Sequence, residues 1–382
     1  MKRAGMLLIC FLLLAGRLPC QVHALELNVA AKSALLMDVA TGTVLYEQNA
    51  HEPLAPASVT KVMTMLLIME AIDSGKITWN DTVTASEAAA AKGGSQIYLK
   101  VGETMTVSDM VKSIAVSSAN DCACAMAEHL AGSESAFVDL MNQRAQELGM
   151  RDTHFVNCTG LDDDPEAANH RTSAYDIAIM SRELLKNHPD IKKFTTIWMD
   201  TVRGGAFGLS NTNKMVRFYD GCTGLKTGFT SGAGYCLSAS AQRNGMELIG
   251  TVMGSKTSAD RFAAAKGMLD YGFSNFALYT PVIQEGAAVT VTLGNAPSVA
   301  AVPAEDVQLL VEKDQVNAIT TELQLEPEVT APVAVGQHLG TLTIQSEGQV
   351  LRQIPLVAEN AVDRLTWGDI TVRILKQVAM AK

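Results

Sequence analysis

Apolar positions along the chain change period several times, and each change predicts a different element. Near the start, two short apolar runs flank Ala40-Thr41-Gly42-Thr43, which predicts strands over 33–38 and 44–47 joined as a β-hairpin. Residues 59–71 are apolar on nearly every side, the pattern of a helix enclosed by a core. Pro56 ahead of it and Ser74-Gly75 behind it suit its ends. Helical spacing returns over 107–114, 120–131, 134–148 and 173–186. From Gly234 two strand-like runs surround Arg243-Asn244-Gly245, a strong hairpin signal, and 259–271 reads as one more helix. Strand pair, helices, strand pair, helix is the order of an α+β domain, an antiparallel sheet packed with helices.

Past about Asn275 the texture shifts. Residues 282–357 alternate Val, Thr, Leu and Ile with Gly, Pro and Glu turns, which predicts a small all-β domain. The tail "NAVDRLTWGDITVRILKQVAMAK" goes back to helical spacing. Trp367, Ile370, Ile374 and Val378 share one face, with Arg373, Lys376 and Lys382 elsewhere, so 362–382 is expected to lie in the plane of a membrane surface as an amphipathic anchor, the alternative being a helix that caps the β domain. Asp363, Arg364, Asp369 and Arg373 interrupt it too often for a spanning segment. The expected division is a signal peptide over 1–24, the α+β domain over 25–275, the β domain over 276–358 and the anchor helix over 359–382. No internal repeat of roughly 20–50 residues is evident.

The opening residues carry Lys2 and Arg3, then an apolar run from Met6 to Ala15, then Val22-His23-Ala24. That is the form of a secretory signal cut after Ala24. The apolar run is shorter than the roughly 20 residues a spanning helix needs. The net charge of -10 argues against nucleic acid as a partner, since phosphate binding needs a basic surface. Of seven cysteines, Cys10 and Cys20 leave with the signal. Cys122, Cys124, Cys158, Cys222 and Cys236 remain, an odd and sparse set that reads as buried thiols rather than a disulfide framework. Cys-x-Cys with no paired His motif does not suggest zinc, and no metal or cofactor is expected.

The chemistry begins at the mouth of the apolar helix, with Ser58-Val59-Thr60-Lys61. Residues i and i+3 share a helix face, so Lys61 can reach the Ser58 hydroxyl. A serine alcohol needs an adjacent base, and a lysine serves only if burial or a neighbouring cation keeps its amine neutral. Alone, Ser-x-x-Lys is usually an N-cap followed by a surface lysine. Ser118-Ala119-Asn120 could likewise be a cap, and Lys226-Thr227-Gly228 the polar end of a strand. All three together, in this order and spacing, are far more specific than any one.

With these motifs the chain resembles the low-molecular-mass penicillin-binding proteins, the serine D-alanyl-D-alanine carboxypeptidases, over nearly its whole mature length. The resemblance implies that Ser58 forms an acyl-enzyme with Lys61 as its base. It implies that Ser118 bridges the proton path to the leaving D-alanine, and that Asn120 holds the substrate amide. Lys226 would add positive potential that keeps Lys61 deprotonated, and Thr227 beside Gly228 would bind the terminal carboxylate. The backbone N–H groups of Ser58 and Phe229 would form the oxyanion hole. Arg261 would favour the carboxylate, and Ser95, in "KGGSQIYL", would line the cleft. The implied partners are peptidoglycan stem peptides ending in D-Ala-D-Ala, β-lactam antibiotics and, through the tail, a membrane surface, at the outer face of the cytoplasmic membrane. Ala119 stands where glycine is common, and Phe229 where histidine is frequent.

A class A-like β-lactamase shares the three motifs but needs a Glu-x-x-Leu-Asn loop, which "GLDDDPEAANHRTS" does not supply. A non-catalytic wall-binding or penicillin-sensing protein on the same fold would release no D-alanine, though a sensor would also acylate. Endopeptidase action on cross-links would use the same acylation chemistry.

Overall fold

The computed structural model describes residues 27, 29–163, 165–281, 287–305 and 307–372. The expected signal segment and the tail beyond Val372, including Ile374, Val378, Arg373, Lys376 and Lys382, lie outside the described residues.

The first hairpin is β1 (Ser33–Asp38) with β2 (Val44–Gln48). The segment from Ala57 to Asp73 is not one continuous α-helix. A 3-10 turn, Ala57–Thr60, leads into α1 (Lys61–Asp73). Helix α2 (Glu87–Ala90) follows a short pair partner, β3 (Thr82–Thr84), which meets β4 (Thr104–Thr106). Then come α3 (Val107–Ser117), α4 (Asn120–Ala131), α5 (Glu134–Glu147) and α6 (Ala174–Asn187). Thr106, Ser133 and Ser173 cap three of these helices through side-chain acceptors. After α7 (Lys192–Thr195) a hairpin absent from the sequence reading, β5 (Met199–Val202) with β6 (Phe207–Ser210), precedes α8 (Met215–Phe218). The domain closes with β7 (Cys222–Thr230), β8 (Gly234–Arg243), β9 (Met246–Ser255) and α9 (Ser258–Asn275).

The two strand groups, far apart in sequence, form one antiparallel sheet in the order β2-β1-β9-β8-β7. Successive strand residues point to opposite faces, and here both faces are covered. In β1, Leu35 and Met37 enter the core built with α1 and its neighbouring helices, while Ala34 and Leu36 enter the core under α9. Helix α1 runs through the first core, and Val62, Met63, Met65, Leu66, Ile68 and Met69 are all buried, as its all-round apolar pattern requires. Two polar residues, Lys61 and Thr64, are buried with them. Such groups must find partners inside the protein.

The C-terminal domain has its own core, including Val289, Leu342, Ile344, Ile354 and Leu356. Strands β10 (Phe276–Tyr279) and β13 (Leu309–Glu312) form one pair. A six-stranded sheet runs β14-β16-β17-β12-β11-β15, from β11 (Ala288–Thr292), β12 (Ser298–Pro303), β14 (Ile319–Leu325), β15 (Glu328–Thr330), β16 (His338–Ser346) and β17 (Gln349–Ala358). One boundary needs correction. Residues 359–365 are not the start of a tail helix: Val362 is buried and bridges Val333, Arg364 bridges Gly294, and Leu365 N–H donates to Leu293 O. A buried valine and a closing strand bridge hold this segment in the β domain. Helical geometry starts at Trp367, which is 85% exposed. No helix among the described residues is long and apolar enough to cross a membrane.

Candidate active site

The 3-10 turn before α1 presents Ser58. Pro56, Ala57, Val59 and Thr60 are buried, and Ser58 alone in the turn has partial exposure. In a 3-10 turn residues i and i+3 eclipse each other. Lys61 Nζ accordingly lies 2.9 Å from Ser58 Oγ. It also donates to the carbonyl of Thr159 at 2.7 Å, and one turn later Thr64 Oγ1 donates to Cys158 O at 2.7 Å. The two buried polar groups of α1 are thus met by one loop. Gly160, the next residue in that loop, sits at φ +79, and a Cβ there would stand 1.8 Å from Ala57 O. Only glycine permits this approach.

Lys61 has no solvent exposure, and burial lowers its pKa to about 7, with the Cys158 thiol and Asp121 carboxylate pulling it part of the way back. Burial, rather than a second cation, is the main cause. Lys226, on β7, is also buried and is held well below the ordinary lysine value by burial, then by Lys61 and Arg261. Its Nζ donates to Thr227 O at 2.9 Å.

Strand β7 is the sheet's edge and packs against the Ser58 turn. A Cβ on Gly228 would fall 2.6 Å from Pro56 O and 3.0 Å from Ser58 N, so a side chain at 228 would push the strand away from the serine. Thr227 Oγ1 donates to Thr212 Oγ1 at 2.7 Å. Arg261, from α9, reaches the strand from within: Nη1 donates to Gly228 O at 2.9 Å and Cys236 O at 3.2 Å, while Nε is buried without a partner. Phe229 is 54% exposed, and its ring lies 4.3 Å from that of Tyr235.

Ser118 ends α3 rather than beginning the next helix. It sits at φ +63, the left-handed conformation that turns the chain into α4. Its buried Oγ has no hydrogen-bond partner among the described residues, nor does Asn120 Oδ1. Asn120 Nδ2 is fixed by donation to Gly93 O at 2.7 Å, and its backbone N–H donates to Ser95 O at 2.7 Å. Ser95 meets α4 through its carbonyl; its side chain is exposed. Asp121, beside Asn120, accepts from the N–H groups of Ile97 and Leu99 and pins this loop.

Sequence reading missed Asp121 and Thr159. An isolated acid directly ahead of the apolar run 122–127 and next to a motif residue could have suggested the first. Thr159 acts through its backbone carbonyl, which no side-chain pattern reports. Cys122, Cys124, Cys158 and Cys236 are buried free thiols, and Cys222 is half-buried.

A family model described as D-alanyl-D-alanine carboxypeptidase matches residues 20–257, and one described as the C-terminal domain of penicillin-binding protein 5 matches 279–364. The second ends where the β-domain bridges end. D-alanyl-D-alanine carboxypeptidase DacF of Bacillus subtilis is 45% identical over 341 residues, covering 87% of this chain and 86% of that protein. Penicillin binding protein 5 from Haemophilus influenzae is similar in structure, with a TM-score of 0.75 at 30% identity over 88% of this chain and 98% of that one. A penicillin-binding protein from Listeria monocytogenes, solved in its ampicillin-bound form, has a TM-score of 0.59 at 32% identity over 65% of this chain and 99% of that one. A lysine-paired serine beside an edge strand, two buried acceptors and a β domain are thus found in a chain that belongs to the D-alanyl-D-alanine carboxypeptidase family of penicillin-binding proteins.

Proposed function

We propose that this protein removes the terminal D-alanine from peptidoglycan stem peptides through an acyl-enzyme on Ser58. The observation that carries this is the 2.9 Å contact between Ser58 Oγ and a buried Lys61 whose pKa is about 7. Neutral Lys61 takes the Ser58 proton as Oγ attacks the penultimate D-Ala carbonyl. The backbone N–H groups of Ser58 and Phe229 receive the oxyanion. The peptide C–N bond then breaks, and Ser118 passes a proton to the departing amine. Water attacks the ester, the C–Oγ bond breaks, and the serine regains its proton. Asn120, with an unpartnered Oδ1, accepts from a substrate N–H. Thr227 and Lys226 bind the terminal carboxylate, and Arg261 adds positive charge beneath Gly228. Ser95 lines the cleft. Penicillin, a β-lactam whose ring amide stands in for the scissile bond, acylates the same oxygen.

The test is to incubate the mature protein with a D-Ala-D-Ala-terminated peptide and assay free D-alanine, then map the penicillin adduct by mass spectrometry. D-alanine release and an adduct on the peptide holding Ser58 are expected. An adduct on Ser118, or acylation with no D-alanine release, sinks the reading.

The protein is proposed to act at the outer face of the cytoplasmic membrane, delivered by its signal segment. The tail from Trp367 would hold it to anionic lipid head groups, with the β domain as a stalk towards the wall. The exposure of Trp367 and Val372 supports this. Because Val362 and Arg364 belong to the β domain, the informative truncation removes 367–382. It should move the protein into the soluble fraction with unchanged activity on a soluble peptide. Full-length mature protein that ignores anionic liposomes would refute the anchor.

A further inference from the structure

Ala57, which precedes Ser58, sits at φ +48, a left-handed conformation that a non-glycine residue holds only when its surroundings impose it. A chain of hydrogen bonds ends on its carbonyl. Thr60 Oγ1 donates to Ala57 O at 2.9 Å. His170 Nε2 lies 2.8 Å from Thr60 Oγ1. Val156 N–H donates to His170 Nδ1 at 3.1 Å. Thr60 and His170 are both buried, and the Phe155 ring meets the imidazole edge-on.

The direction of every proton follows from these partners. A backbone N–H can only donate, so Nδ1 is the unprotonated nitrogen and the neutral ring carries its hydrogen on Nε2. That hydrogen goes to Thr60 Oγ1, whose own hydrogen goes to Ala57 O. A cationic ring would set two N–H groups against each other at Val156. Burial, together with His154, Arg171 and Lys61, pushes His170 down to about 4, so the ring stays neutral at working pH.

The two ends of this chain belong to the two partners of the reaction. Ala57 and Thr60 form the turn that carries Ser58. Val156 opens the loop whose Cys158 and Thr159 carbonyls receive Thr64 and Lys61. Gly160 seats that loop directly on Ala57.

We propose that His170 is a positioning residue for acyl transfer, locking the 156–160 loop to the 57–60 turn so that Ser58 Oγ and Lys61 Nζ are presented to each other. This rests on the reading of Ser58 as nucleophile and Lys61 as base. His170 touches no reacting atom; it acts through Thr60 and Val156.

The experiment measures the first-order acylation constant at saturating benzylpenicillin and the final adduct stoichiometry for His170→Phe, Thr60→Val, their double variant and Thr60→Ser. His170→Phe keeps an aromatic ring in place and removes both hydrogen bonds. Misplacing reacting groups by about 1 Å can cost ~100-fold, so His170→Phe and Thr60→Val should each acylate ~10- to 100-fold more slowly while still reaching one adduct per chain. Thr60→Ser, which keeps the hydroxyl, should stay near wild type. The double variant should be no slower than the slower single one, because both changes break one chain. A lowered stoichiometry at an unchanged rate constant would mean a merely structural role and overturns the proposal, as would unchanged rates or fully additive losses. If His170→Phe does not fold, Thr60→Val against Thr60→Ser decides. Wild-type protein with no adduct on Ser58 overturns the functional reading and this inference with it; wild-type acylation beside unaffected variants overturns this inference alone.

Discussion

Replacing Lys61 by arginine should abolish measurable acylation of Ser58 by penicillin and by substrate. A positioned general base contributes ~10²–10⁴-fold, and arginine cannot give up its proton, so a loss at the upper end of that range is expected. Because Lys61 titrates at about 7, wild-type acylation should rise with pH through that value as the amine becomes neutral. Below it, each pH unit should cost ~10-fold, since only the neutral fraction is a base. The Lys61→Arg variant should show no such rise. Stopped-flow acylation across pH 5 to 9 checks both halves. A variant that acylates at a rate near wild type would remove lysine from the role of base.

The same burial makes Lys61 a burden on the fold. Its pKa is near 7 when folded and near 10.5 when unfolded, so between these values the folded state binds fewer protons. Stability therefore rises with pH from about 7 to about 10.5, and below 7 the full penalty is present. At ~1.4 kcal/mol per unit that penalty is on the order of 5 kcal/mol. Lys61→Met removes it but leaves the Thr159 carbonyl without its donor, which costs ~1–3 kcal/mol. The inactive Lys61→Met protein should therefore be more stable than wild type by a few kcal/mol at pH 6, with the gap closing as pH approaches 10. Denaturant melts at several pH values measure it. A gap that does not change with pH would show that Lys61 is not held neutral by burial.

Local patterns in the sequence carried much of this site. Ser58 and Lys61 were legible because they are three residues apart on one turn, whether that turn is α or 3-10. The enclosed helix was legible because apolar residues surround it on all sides. Ser118 was placed at a helix junction but on the wrong side of it: a serine before a helix reads as an N-cap, and nothing local reveals that the preceding helix needs a left-handed residue to end. The acceptors for Lys61 and Asn120 are backbone carbonyls at Thr159 and Gly93, 98 and 27 residues away, and a carbonyl has no sequence signature. The domain limit near 358 followed the loss of strand alternation, whereas the closing bridges at Val362 and Arg364 depend on partners at Val333 and Gly294.

Strand β7 has one neighbour in its sheet, β8, and its other side is an open edge. At the Cys222 end that edge is occupied: Thr195 Oγ1 donates to Thr223 O at 2.6 Å and Asn213 Nδ2 to Gly224 O at 2.9 Å. At the other end, Phe229 and Thr230 lie exposed or half-exposed beside Ser58. An open edge is a template for any extended backbone, and proteins usually blunt it because it invites aggregation. Here the side chains that blunt the edge sit at the Cys222 end, and the Phe229 end beside the serine is the more exposed one. A stem peptide docked by such β-augmentation is gripped by its main chain, which is the same whatever side chains it carries. Selectivity would then come from the end of the guest, its D-alanine methyl and its carboxylate, and chains that differ upstream but end alike would compete for the edge on nearly equal terms.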